Sequence, residues 1–203
     1  MPYYLNITPA AWQLWCFSSV ALSLVMALEA DLLEQRIPNV LVALTLLAGV
    51  ALHAAGPANG REGMFGYFPG ALGGVQAVFG AVVGLAAFLP IYLAGAMGAG
   101  DVKFMAALGA FAGPVEVLGL ALSVAACGGL LALCLTLVRR KGAHAWANMA
   151  QILHDAVRTR PALGGFDPAT QTALRMPYAL AFALGVSAYG YWRQSGHPAL
   201  VIF

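Results

Sequence analysis

Two aspartates stand where this apolar chain should resist carrying charge. Asp101 follows Gly98-Ala99-Gly100 between two long apolar runs. Asp31 closes an earlier run and is followed by Arg36-Ile37-Pro38-Asn39. A carboxylate in the middle of a bilayer costs about 3 kcal/mol by insertion scales, so each is a candidate functional group. Two carboxylates can hydrolyse a peptide, one ionised to activate water and the other protonated to assist the carbonyl oxygen. A pair about 3 Å apart reaches that state unaided, because both cannot ionise, and it titrates as a unit. Asp101 opens a helix and Asp31 closes one. A dipole effect of about 0.3–1 kcal/mol per helix end then favours Asp101 as the base and Asp31 as the acid.

Gly98 and Gly100 carry no Cβ. Backbone there can approach an extended substrate closely and adopt φ above zero. Lys103 lies two residues beyond Asp101, so the two do not share a helix face. It is expected to reach the membrane surface or to meet Glu29 or Glu34. Plainer readings stand beside these: Asp101 as a simple helix N-cap, and Asp31 as an interfacial residue without a role. His53, His144, His154 and His197 are scattered. Ser18 and Ser19 lie mid-helix with no base nearby. Cys16, Cys127 and Cys134 sit in apolar runs without a CxxC pair. No metal and no cofactor are therefore expected, and the cysteines read as small buried hydrophobes.

These side chains must be positioned in lipid. The 203 residues are 61% hydrophobic and 9% charged, with mean hydropathy +0.81. A soluble domain carries about 25% charged residues. The net charge of +2 says little about partners, and no nucleic-acid partner is expected. The apolar runs 11–30, 38–55, 72–97, 115–138 and 177–192 predict helices that cross a bilayer. A sixth, 102–112, would cover only about 16 Å at 1.5 Å per residue, and Gly113-Pro114 breaks it before Glu116. The expected fold is all-α and polytopic, with about six transmembrane helices of which the fourth is short. The broken approach to Asp101 then lies at bilayer depth, where irregular backbone must be packed by protein or line a wet cavity. Pro90 is expected to kink the third helix.

Lys and Arg set the orientation. With the N-terminus outside, Arg36, Lys103, Arg139, Arg140, Lys141, Arg158, Arg160 and Arg175 face the cytoplasm, and only Arg61 and Arg193 lie outside. Both aspartates then fall at cytoplasmic helix ends, which places the expected catalytic pocket there. The first Lys or Arg is Arg36, so the first run reads as a retained span. Residues 1–203 read as one membrane-embedded domain with a cytoplasmic loop at about 139–175. Within that loop, 144–157 is either an amphipathic helix on the membrane surface or an ordinary connection. The 57–70 loop is expected outside, with Phe65, Tyr67 and Phe68 at the interface.

At these positions the chain resembles a known family. Asp31-Leu32-Leu33-Glu34-Gln35-Arg36-Ile37-Pro38-Asn39 is similar to the first block of bacterial type IV prepilin peptidases. Gly98-Ala99-Gly100-Asp101-Val102-Lys103 is similar to the second, the GxGD block. Arg175-Met176-Pro177-Tyr178 resembles the short Pro-containing lead-in to that family's last helix. The resemblance implies a multi-pass aspartyl endopeptidase of the bacterial inner membrane. It would cut the short basic leader from prepilins or pilin-like secretion subunits, with Asp31 and Asp101 as the catalytic pair. Gly98, Gly100, Lys103, Pro38 and Asn39 would support the site or bind substrate. The long form of that family carries paired CxxC motifs and methylates the new N-terminus. None occurs here, so methyl transfer is not expected, and the chain looks closer to the short tight-adherence (Flp-pilus) type.

Two other classes compete. Presenilin-like and signal-peptide-peptidase-like proteases share GxGD, but their first aspartate typically follows Tyr, whereas Ala30 precedes Asp31 here. A small proton-coupled transporter also uses membrane carboxylates and broken helices.

Overall fold

The computed structural model describes residues 8–34, 36–57, 62–94, 97–138 and 178–200. Five helices make up this part of the chain: α1 Pro9–Leu33, α2 Asn39–Ala55, α3 Gly74–Leu93, α4 Ala99–Val138 and α5 Tyr178–Gln194. Among the described residues there is no strand, only an isolated bridge between Gly63 and Gly70. The 139–175 loop, its 144–157 segment and the lead-in through Pro177 lie outside the described residues.

Pro9–Leu33, Gly74–Leu93 and Ala99–Leu135 are long and apolar enough to cross a membrane. Their outward side chains are apolar too, with Leu22, Leu32, Val75 and Leu133 all exposed. That is the pattern of helices solvated by lipid on one side and by protein on the other. The chain is therefore a membrane protein. α2 is apolar but shorter, at 17 residues. α1 begins as its sequence dictates. Thr8 Oγ1 accepts the Ala11 N–H at 3.3 Å, and Pro9 follows at the position where a missing N–H costs nothing.

The break expected at Gly113-Pro114 is present. Gly113 has φ 80° and ψ 170°, a backbone state in which a Cβ is strained, and Pro114 offers no N–H to continue the ladder. The break folds α4 into two antiparallel arms, 99–112 and 114–138. Glu116 meets Arg193 near the end of α5, whereas Gly128 lies against Ala181 near its start. The short fourth run and the run after it are thus two helices that meet at Gly113. Pro90 produces no break. It sits one turn from the end of α3, which continues to Leu93.

Small residues hold the first arm of α4 against α3. A Cβ on Gly80 would fall 2.2 Å from the Gly109 carbonyl oxygen, and one on Gly84 would fall 2.8 Å from that of Met105. Close backbone approach of this kind is how helices associate in lipid, where no hydrophobic force separates side chains from solvent.

The end remote from the aspartates is closed by buried polar contacts. His53 Nε2 donates to the Phe111 carbonyl, two residues before the break, at 2.9 Å. His53 Nδ1 accepts the Leu72 N–H at 3.1 Å, so the ring is the neutral Nε2–H form. Trp12 donates to the Leu52 carbonyl at 2.8 Å, near the end of α2. Glu116 takes a two-pronged ion pair from Arg193, with Nη2 at 2.7 Å and Nε at 3.1 Å. Tyr189 donates its hydroxyl to the same carboxylate.

The 62–70 loop differs from expectation. Phe65 is buried rather than interfacial. Its ring packs edge-on against Phe17 and Tyr189 at 5.9 and 5.3 Å, and Gln13 pins the neighbouring Met64 carbonyl at 2.9 Å. Of the three aromatics, only Tyr67 and Phe68 remain exposed.

Candidate active site

Asp31 lies in the last turn of α1 and Asp101 in the first turn of α4; both are half-buried. They stand close enough for the charge of one to act directly on the other. Each carboxylate is held by a backbone amide. Asp31 Oδ2 accepts the N–H of Ala179, in the first turn of α5, at 3.0 Å. Asp101 accepts the N–H of Gly98.

The second contact explains the local sequence. The Gly98 carbonyl accepts the Val102 N–H at 3.4 Å, which makes Gly98 the N-cap of α4. Asp101 is therefore the third helical residue, reaching back to the cap amide as the acid of a capping box does. A Cβ on Gly98 would stand 3.2 Å from Asp101 Oδ2 and crowd this carboxylate. Gly98 and Gly100 are not among the glycines with positive φ; their use is close approach, not a left-handed turn. Gly100 faces Ile37, where a Cβ would come within 3.5 Å of the Ile37 Cβ. That contact joins the two sequence blocks.

Pro38 is the extended N-cap of α2, with φ −62° and ψ 134°, and its carbonyl receives the Val42 N–H at 3.2 Å. Asn39 opens the helix, and its Oδ1 accepts from Lys103 Nζ at 3.2 Å. Lys103 thus pairs with an amide rather than with Glu29 or Glu34. The residues singled out in the two blocks all gather at one end of the bundle, where α1 ends and α2, α4 and α5 begin.

The sequence predicted the helix over 177–192 that became α5, but not that its first turn would hold Asp31. The Ala179 amide belongs to the backbone and leaves no mark in residue type. The only pointer was the Pro-containing lead-in before Tyr178. The contact also removes the premise for dividing roles by helix end. Asp31 ends one helix but caps the start of another, so both carboxylates sit at helix N-termini.

The arrangement offers two acids from separate helices within electrostatic range of one another, each oriented by a peptide N–H. The profile of the type IV leader peptidase family matches residues 18–133, more than half of the chain and including both acids. The chain belongs to the type IV leader peptidase family and is a protease of that kind. Comparison with curated proteins and with solved structures finds no match.

Proposed function

We propose that this protein is a membrane aspartyl endopeptidase that removes the short basic leader of type IV prepilins or pilin-like secretion subunits. Asp31 and Asp101 are the reacting pair, at the cytoplasmic face of a bacterial inner membrane. The observation that supports this reading is their convergence. Two acids 70 positions apart reach mutual electrostatic range from different helices, in a chain of the leader peptidase family.

The chemistry follows from the pair. The ionised carboxylate takes a proton from water as the oxygen attacks the scissile carbonyl carbon. The protonated partner gives its proton to the carbonyl oxygen, forming a tetrahedral diol. Collapse of the diol breaks the C–N bond: the second carboxylate takes back a proton from a diol hydroxyl as the carbonyl re-forms, and the proton held by the first passes to the leaving amine. Gly98 leaves room beside Asp101 for an extended chain. The exposed Lys103–Asn39 bridge keeps the first turns of α4 and α2 in register.

The test is cleavage of a purified prepilin by the full chain in detergent, with the product weighed by mass spectrometry. Cleavage just before the hydrophobic segment is expected. Asp31→Asn and Asp101→Asn should each lower the rate by roughly 10²–10⁴-fold, the usual contribution of a positioned acid or base. An uncut leader together with ion-coupled flux in vesicles would instead favour the transporter.

A further inference from the structure

Asp101 has a second neighbour on α5. That helix and the first arm of α4 both run away from the aspartate end, side by side. Phe104 and Phe182 mark their contact, with ring centroids 5.3 Å apart and crossed at 83°, and both rings are buried. Phe88 of α3 closes over Phe182 at 6.0 Å, which fixes the register. One turn earlier on the same faces stand Asp101, three residues before Phe104, and Tyr178, four residues before Phe182. The next rung of the ladder is therefore a carboxylate and a phenol. Tyr178 is half-buried, and the charge of Asp101 reaches its phenol. One peptide bond further, the Ala179 amide holds Asp31. Two consecutive residues of α5 thus attend to the two acids, one each.

We propose that Tyr178 is a positioning residue of the aspartate pair, its hydroxyl orienting the Asp101 carboxylate and the water that the pair activates. A phenol both donates and accepts and stays uncharged at neutral pH, so it directs a hydrogen bond without adding a third charge. The role rests on Asp31 and Asp101 being the reacting pair.

The experiment is steady-state cleavage of a synthetic prepilin segment by the purified full chain in detergent, beside its thermal unfolding. Y178F removes one oxygen. It should lower kcat at least ten-fold, leave KM within two-fold and leave the unfolding temperature unchanged. Y178A should lose the same factor in kcat. A Y178F enzyme with kcat within two-fold of the parent overturns the proposal. So does a loss in Y178A that Y178F does not share, because ring packing alone would then be at work. If Y178A does not accumulate, Y178F decides. Asp31→Asn and Asp101→Asn run in the same assay. If these still cleave, the dyad reading itself fails; if they are inactive while Y178F is unimpaired, only the role of Tyr178 falls.

Discussion

Asp31 and Ala179 are 148 positions apart and meet at 3.0 Å, carboxylate oxygen to peptide N–H. The negative end of α1 is thereby docked on the positive end of α5, an arrangement that suits an acid. Asp31 serves α5 as an N-cap residue would, although it belongs to another helix. Loss of such a cap costs about 0.5–2 kcal/mol. Asp31→Ala should therefore destabilise the protein by about 1 kcal/mol, and Asp31→Asn by a few tenths at most, since its amide oxygen still accepts the N–H. Chemical unfolding in detergent measures the difference. Equal stability of the two variants would mean that the Ala179 contact contributes nothing.

Lys103 and Asn39 join the first turns of α4 and α2 at an exposed position. Exposure makes such a bond weak. A double-mutant cycle on Lys103→Met and Asn39→Ala should give a coupling of about 0.5 kcal/mol in stability. Either change should also slow cleavage only a few-fold, because neither side chain reacts. Strict additivity in both readouts would show that the bridge does not form in solution.

Glu116 and Arg193 are the costly pair. Their side chains are 8% and 12% exposed, and removal of one partner strands the other charge. Glu116→Ala or Arg193→Ala should each cost about 3–5 kcal/mol. Replacing both by Met should recover much of the loss, because a buried ion pair exchanged for packed apolar groups is often close to neutral. Equilibrium unfolding of the three variants gives the answer. A double variant as unstable as the singles would contradict it.

Two glycines make a matched comparison. Gly80→Ala would drive a Cβ to 2.2 Å from the Gly109 carbonyl oxygen. It should destabilise by about 1–3 kcal/mol through forced separation of α3 and α4. A Cβ on Gly129 would meet nothing within 4 Å beyond its own helix backbone, and the residue lies inside α4. Gly129→Ala should therefore raise stability by about 0.5–1 kcal/mol through helix propensity. Thermal unfolding of the pair in one detergent tests both signs.

The features legible in the sequence were those in which a residue type contradicts its surroundings. Asp31 and Asp101 were visible as charge among apolar residues, and the structure brings them together. Gly113-Pro114 was visible as a break, and the backbone turns there. The contacts that escaped are those made by groups without a signature or across long separations. The Ala179 amide could not be read because every residue but proline has one. Lys103 was expected to reach the surface or to meet an acid; it is exposed, and the side chain it meets is the amide that the fold places opposite. Glu116 and Arg193 were seen separately, as a residue after a break and as an outer cation, because 77 positions divide them. Phe65 was placed at the interface because aromatic loops in membrane proteins usually lie there; the fold of its loop turns the ring inward over Phe17 and Tyr189.

Because both acids lean on main-chain N–H groups, their electrostatic setting is built into the covalent skeleton. Peptide dipoles do not ionise near neutral pH, cannot be edited by a side-chain substitution at the contact, and are poorly shielded by dissolved ions when half-enclosed. The catalytic chemistry should accordingly tolerate wide changes in ionic strength.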